Sequence, residues 1–260
     1  MARVADADDW WLAFLDTSVW LPVLSLCATW TALHALVKHT GGPKLELEGA
    51  NKVVSTLHAT IAVTGCTTVF FVENNGFGAE LLPLQKVLLQ VSSGYFLYDT
   101  LIAVIRNNWD FVLHHLATAS GMLWVLLFRV SGYEVCMCTL LAEVSTPFLN
   151  CRYFAKPRTE PTRHLTKQQL QMEQETDKRL SAYEAFSLAF AVTFLVSRFV
   201  VAPFLLFCTV TCPTTPLYIK VGGTTVWLVS LFWGYKVFRL LARGLVGKMM
   251  VNGERTRKMD

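Results

Sequence analysis

The stretch "DFVLHHLATASGMLWVLLFRV", residues 110–130, decides how this chain is read. A helix of roughly 20 mostly apolar residues crosses about 30 Å of hydrocarbon while satisfying its own backbone hydrogen bonds. This stretch has that length, yet it carries two adjacent histidines, His114 and His115. An ionisable group charged at the bilayer centre costs at least about 2.5 kcal/mol, so such groups face a protein interior or a wet cavity. The stretch therefore predicts a membrane-crossing helix with one face turned toward a sheltered polar space.

The rest of the chain agrees. Of 260 residues, 53% are hydrophobic and 16% charged, whereas soluble domains carry about 25% charge. The expected fold is all-α and multi-pass, with about seven transmembrane helices near 17–37, 51–72, 85–105, 110–130, 133–154, 181–210 and 217–243. Lys and Arg alternate across these spans: 18 fall on one side and 4 on the other, with Arg198 inside the sixth span. The richer side is expected to be cytosolic, which makes the N-terminus lumenal and the C-terminus cytosolic. The start, "MARVADADDWW", is acidic and lacks the basic n-region of a signal peptide, so the first span is expected to be an uncleaved anchor. Net charge of +4 reflects this topogenic bias and predicts no nucleic-acid partner.

Three segments are expected: 1–44 as lumenal N-terminus and first anchor, 45–245 as the membrane domain, and 246–260 as a cytosolic tail that frays. The polar stretch 155–180 reads as a solvated connector, with Thr166 and Gln169 resembling a capping box. Of seven cysteines, Cys136, Cys138, Cys208 and Cys212 lie near predicted lumenal edges where oxidation is possible, but their spacing pairs none of them.

Inside the membrane, polar residues fall on particular faces. Tyr95, Asp99 and Arg106 share a stripe of the third span; His114, Thr118 and Gly121 share one in the fourth; Glu143, Pro147 and Asn150 share one in the fifth. Turning these faces toward one interior would bring Asp99, both histidines and Glu143 together. A neutral imidazole acts as general base, nucleophile or metal ligand, and a carboxylate orients it. An inert polar seam that fixes helix register remains the other reading. His58, on a stripe with Asn51 and Ser55, offers a third nitrogen, but no metal-binding signature is present and none is expected. His34 and His39 read as interfacial. Arg198 is expected to reach a carboxylate on another helix or to extend toward the lumenal edge, with an anionic lipid or acyl-carrier group in a cavity as the alternative partner.

Three pieces in successive spans, "SSGYFLYDTL", "DFVLHHLATASGM" and "LLAEVSTPFLNCRYF", resemble the TLC superfamily, which includes translocation-associated membrane proteins, ceramide synthases and TLC-domain-containing proteins. The resemblance covers about residues 45–245 and implies a barrel of spans two to seven around a lipid-sized cavity, with span one outside. Ceramide synthases carry paired histidines, matched by His114 and His115, and one helix later a His-Asp-x-Ser-Asp motif. Here that motif reads Ala142, Glu143, Val144, Ser145 and Thr146.

The form Glu143, Ser145, Pro147, Phe148, Asn150, Arg152 is nearer the TLC-domain-containing subgroup, whose members are linked to lipid homeostasis and membrane composition. What the resemblance implies is a lipid-handling protein of the endoplasmic reticulum membrane, or alternatively the plasma membrane, whose partners are membrane lipids and the bilayer. Oligomerisation stays open. The alternative is an acyl-CoA-dependent N-acyltransferase in which His114, His115, Asp99 and Glu143 do the chemistry. In either case Tyr95, Thr118, Asn150, His58 and Arg198 are expected around the lipid. No cofactor is expected beyond acyl-CoA as a co-substrate. A partner adaptor is a further alternative. The terminal Arg257 and Lys258 occupy the places of a dilysine-type retrieval signal.

Overall fold

A computed structural model describes the backbone of residues 14–42, 45–156 and 167–257, and side chains within 14–42, 45–156 and 180–239. The chain is an all-α multi-pass membrane protein. Its helices are α1 (Thr17–Thr40), α2 (Leu47–Val72), α3 (Pro83–Ile105), α4 (Trp109–Phe128), α5 (Gly132–Glu143), α6 (Thr146–Ala155), α7 (Lys167–Leu195), α8 (Ala202–Thr211) and α9 (Leu217–Arg257). A π-helical turn, Val196–Val201, joins α7 to α8. Among the described residues the only β pairing is an isolated bridge between Glu80 and Val130. Five helical segments among those residues are individually long and apolar enough to cross a bilayer.

Local chemistry sets the helix ends. Asp16 caps α1, its Oδ1 accepting the Ser18 N–H at 2.9 Å. Pro83 opens α3, where its missing N–H costs nothing. The Glu73 carboxylate accepts from the Leu84 and Gln85 N–H groups, placing a negative charge at the positive end of α3. On the lipid-facing side of α2, the Thr60, Thr64 and Thr68 hydroxyls each bond back to the carbonyl four residues earlier, so they reach lipid without a free donor.

The expected fifth span is not one helix. It breaks after Glu143 and restarts at Thr146, because Pro147 has no N–H to bond back and its ring crowds the preceding turn. Pro203 acts similarly at the start of α8, leaving the Phe199 carbonyl without its usual donor beside the π turn. The tail also differs from expectation, since α9 runs on through Arg257. An anchored helix propagates cheaply, and three glycines, at about 1 kcal/mol each, do not stop it without a proline. Residues 1–13, residues 157–166 of the polar connector and Lys258 lie outside the described residues.

α3 is the hub: 67% of its spanning window is buried, against 22% for α1. It packs most extensively on α4 and α1. Gly94 permits the α1 contact, since a Cβ there would lie 2.7 Å from Leu26 Cβ and 2.9 Å from the Cys27 nitrogen. Val19, Val23 and Trp30 of α1 thereby join a core built on Leu89, Tyr95, Phe96, Tyr98 and Met122. Large apolar side chains such as Leu21, Phe71, Leu113 and Phe204 remain exposed on outer faces, as lipid contact requires.

One end of the bundle is tied shut. Gly78 N–H and the Thr215 hydroxyl both donate to Oε1 of buried Glu134. Leu81 N–H reaches the Arg129 carbonyl and Ser131 N–H the Ala79 carbonyl, each at 2.8 Å. Arg129 and Ser131 hold positive φ values of 58° and 66° in this connection, a strained backbone that the bonded loops keep in place. The opposite end carries exposed charges paired at the rim: Arg106 with Glu48 at 2.8 Å, and Lys236 with Asp110 at 3.3 Å.

A two-part chamber with buried histidines

Two adjoining cavities run between the tied end and the charged rim. One, of about 100 Å³, is walled by apolar side chains of α4, α5, α8 and α9 together with Gly121, Gly222 and Gly223, and ends at Glu134. The other, of about 400 Å³, is walled by Asn51, Lys52, Tyr95, Asp99, His115, Glu143 and Asn150, and opens at Glu48, Arg106, Asp110 and Lys236. Phe96, His114, Ala142 and Arg198 line both. No residue of α1 lines either one. Thus Asp99, His114, His115 and Glu143 do face a common space.

Asp99 is the centre of the polar part. Its Oδ1 accepts from Asn51 Nδ2 at 3.0 Å, and its Oδ2 accepts from the Tyr95 hydroxyl at 3.2 Å. His115 Nε2 lies 3.5 Å from that same Oδ2. The bond directions extend outward. Tyr98 gives its single O–H to Asn51 Oδ1 at 2.7 Å, so His34 Nδ1, 2.6 Å from the Tyr98 oxygen, must supply the hydrogen there. Every donor from His34 through Tyr98 and Asn51 thus points toward one acceptor, the Asp99 carboxylate. The other ring nitrogen of His115, Nδ1, is buried and bonded to no protein atom.

A second imidazole–carboxylate pair sits behind Tyr95. The His58 ring stacks on Tyr95 with centroids 3.8 Å apart and 5° between planes. Its Nε2 meets Ser92 Oγ at 3.2 Å, and its Nδ1 lies 4.0 Å from Glu143 Oε1. His58 therefore braces the Tyr95 ring from behind and lines neither cavity, contrary to expectation. Asn150 ties α6 to α2 by donating to Ser55 and Thr56, both at 3.1 Å. Thr118 lines the apolar cavity, its hydroxyl bonded to the His114 carbonyl. His114 itself packs edge-on against Trp233, centroids 4.7 Å apart, and its Nδ1 has no partner.

Three further expectations change. His34 is buried rather than interfacial, because α1 lies close enough against α3 to present it to Tyr98. Arg106 ends α3 at the rim instead of extending the buried stripe. Arg198 neither meets a carboxylate nor reaches an edge: the π turn buries it, and it donates to Ser230 Oγ at 3.1 Å and the Ala142 carbonyl at 3.2 Å. Sequence reading passed over Tyr98 and Lys52, and it named Asn51 only as a neighbour of His58. Tyr98 is adjacent to Asp99 and Asn51 lies on the His58 stripe, which was the available signal. Nothing in the sequence pointed to His34. Among the described residues, no three His, Cys, Asp or Glu side chains come together at metal-ligand spacing.

Comparison with known proteins agrees with this architecture. The family model described as TLC domain matches residues 48–239, most of the chain. The chain belongs to the TLC-domain family. It is 27% identical over 220 residues to TLC domain-containing protein 4-B of Danio rerio, covering 76% of this chain and 75% of that one. Identity to TLC domain-containing protein 4 of Xenopus tropicalis is 27% over 217 residues, covering 75% of each. The Homo sapiens protein of that name matches at 29% over 120 residues, 43% of this chain and 44% of the other. No solved structure matches. α1 precedes the matched TLC domain, yet its His34 is the outer end of the hydrogen-bond chain that leads to Asp99.

Proposed function

We propose that this TLC-domain protein holds an acyl chain or a whole membrane lipid in its paired cavities and acts in lipid homeostasis and membrane composition. The observation that carries this reading is the junction. A glycine-walled apolar cavity meets a polar one at His114 and Arg198, which is the shape and polarity division of an amphiphile. The proposed setting is the endoplasmic reticulum membrane with the N-terminus lumenal; the alternation of 18 basic residues against 4 supports that orientation. The charged rim then faces the cytosol. Protein purified in an uncharged detergent and extracted for mass spectrometry is expected to release lipid in stoichiometric amount. Preparations that contain only detergent under every purification condition would remove the reading.

One observation favours a second reading as an N-acyltransferase. His115 is oriented by Asp99, with Nδ1 unbonded on the wall of the polar cavity. In that reaction the amine nitrogen of a sphingoid base attacks the thioester carbon of acyl-CoA. The C–N bond forms, the C–S bond breaks, the amine proton passes to His115 and then to the leaving thiolate. Ala142 weakens this reading: it stands where ceramide synthases carry histidine, and it lines the junction of the two cavities with a methyl group. Incubation with acyl-CoA and sphingoid base decides between the two. Amide product abolished by His114→Ala plus His115→Ala supports the enzyme; no product across chain lengths leaves lipid handling.

A further inference from the structure

We infer that the lipid held in the chamber is an anionic amphiphile, with its carboxylate or phosphate on Arg198 and its chain in the apolar cavity. This rests on the lipid-handling reading and names the class of lipid.

Arg198 is 5% exposed and sits at the junction of the two cavities. A guanidinium offers five N–H donors. Two are occupied, by Ser230 Oγ and the Ala142 carbonyl, both uncharged acceptors. Nε is buried and has no partner at all. The Phe194 ring, 5.9 Å from the guanidinium carbon, adds only a weak contact. Among the described residues, the ion pairs at 4.0 Å or less do not include Arg198.

Glu143 attracts Arg198 across the junction but makes no contact with it, and the other neighbouring acids are engaged elsewhere. Asp99 accepts from Asn51 and Tyr95 and faces His115, Glu143 lies toward His58, and Glu48 and Asp110 are paired at the rim. Burying a cation with no anion in contact is costly, and such a group is retained where something supplies the opposite charge at its donors. The remaining donors form the fork geometry that matches a carboxylate or phosphate. The apolar cavity begins at the same residue, so a headgroup seated on Arg198 directs its chain toward Gly121, Gly222 and Gly223. Added Cβ atoms at Gly121 and Gly222 would meet nothing within 4 Å. The wall is open at these two glycines.

Lys52 and Arg106 line the route from the rim to this point.

The test uses full-length protein in uncharged detergent and four probes with the same oleoyl chain. Oleate and 1-oleoyl lysophosphatidate are anionic; oleyl alcohol and monooleoylglycerol are neutral. Binding is read by native mass spectrometry and by the thermal shift. The anionic pair is expected to bind at least tenfold more tightly than the neutral pair, and Arg198→Gln is expected to erase that difference while leaving neutral binding in place. The preferred member of the anionic pair identifies carboxylate or phosphate. Equal binding of charged and neutral probes by the wild-type protein overturns the inference but leaves lipid handling standing. No binding of any probe overturns both. If Arg198→Gln does not fold, the wild-type comparison decides alone, with Arg198→Lys as the second variant, expected to keep the charge preference at reduced strength.

Discussion

Gly222→Leu tests the apolar cavity most directly, because it moves stability and binding in opposite directions. Gly222 lies within α9 on the cavity wall, and an added Cβ would meet no atom within 4 Å. Leu therefore enters empty space, and replacing a mid-helix glycine favours the helix by about 1 kcal/mol. The four carbons of the Leu side chain occupy room otherwise open to an acyl chain. Displacing about four methylenes, at about 0.8 kcal/mol each, removes about 3 kcal/mol of lipid binding. At 1.4 kcal/mol per decade, affinity falls roughly 200-fold. The assay pairs thermal unfolding of delipidated protein with quantitative mass spectrometry of bound lipid. A midpoint equal to or above wild type, together with lost lipid, is the expected result. Unchanged lipid content in a stable Gly222→Leu protein would refute the assignment of this cavity to a chain.

Other outcomes follow from other parts of the molecule. Along the relay, His34→Ala and Tyr98→Phe should be coupled in a double-mutant cycle by about 1 kcal/mol, and additive effects would break the chain of donors described here. At the tied end, Glu134→Ala leaves the Gly78 N–H and Thr215 hydroxyl without their acceptor and should cost about 2 kcal/mol in denaturant unfolding, whereas an unmoved transition would show that the loops hold without it. Cys212, just past α8, has its thiol pKa held down to about 7 by hydrogen bonds from Thr214 and Thr215, which favour the thiolate. An impermeant maleimide should label it from the lumenal side with half-maximal rate near pH 7, the thiolate gaining as pH rises through that value. A midpoint near the usual value of about 8.5, or labelling from the cytosolic side, would contradict the hydrogen-bond account or the orientation respectively.

The membrane class and the inward polar faces were legible in the sequence because hydropathy and helical spacing are local properties. Tyr95 and Asp99 lie four residues apart on one helix, and this predicted their shared face before any packing was known. The break at Ser145 was written in Pro147, but polar residues on either side read equally well as one tolerant span. The role of His34 was not local at all. It depends on how closely α1 approaches α3 at Gly94, a contact between helices far apart in the chain. Arg198 misled for a related reason: a cation in an apolar span suggests a carboxylate partner, and only tertiary placement shows two neutral acceptors instead. Gly121 was placed on the stripe of His114 and Thr118, but the apolar wall it shares with Gly222 and Gly223 depends on α4 and α9 coming together around an unfilled space.

The contrast between the two ends of the bundle has a consequence for traffic. Backbone bonds and a buried carboxylate anchor the floor, whereas the rim is held by exposed ion pairs that water and salt weaken readily. Such a vessel gives way on one side of the membrane. On the proposed lipid-holding role, a guest is expected to enter and leave past the rim, on one side of the membrane.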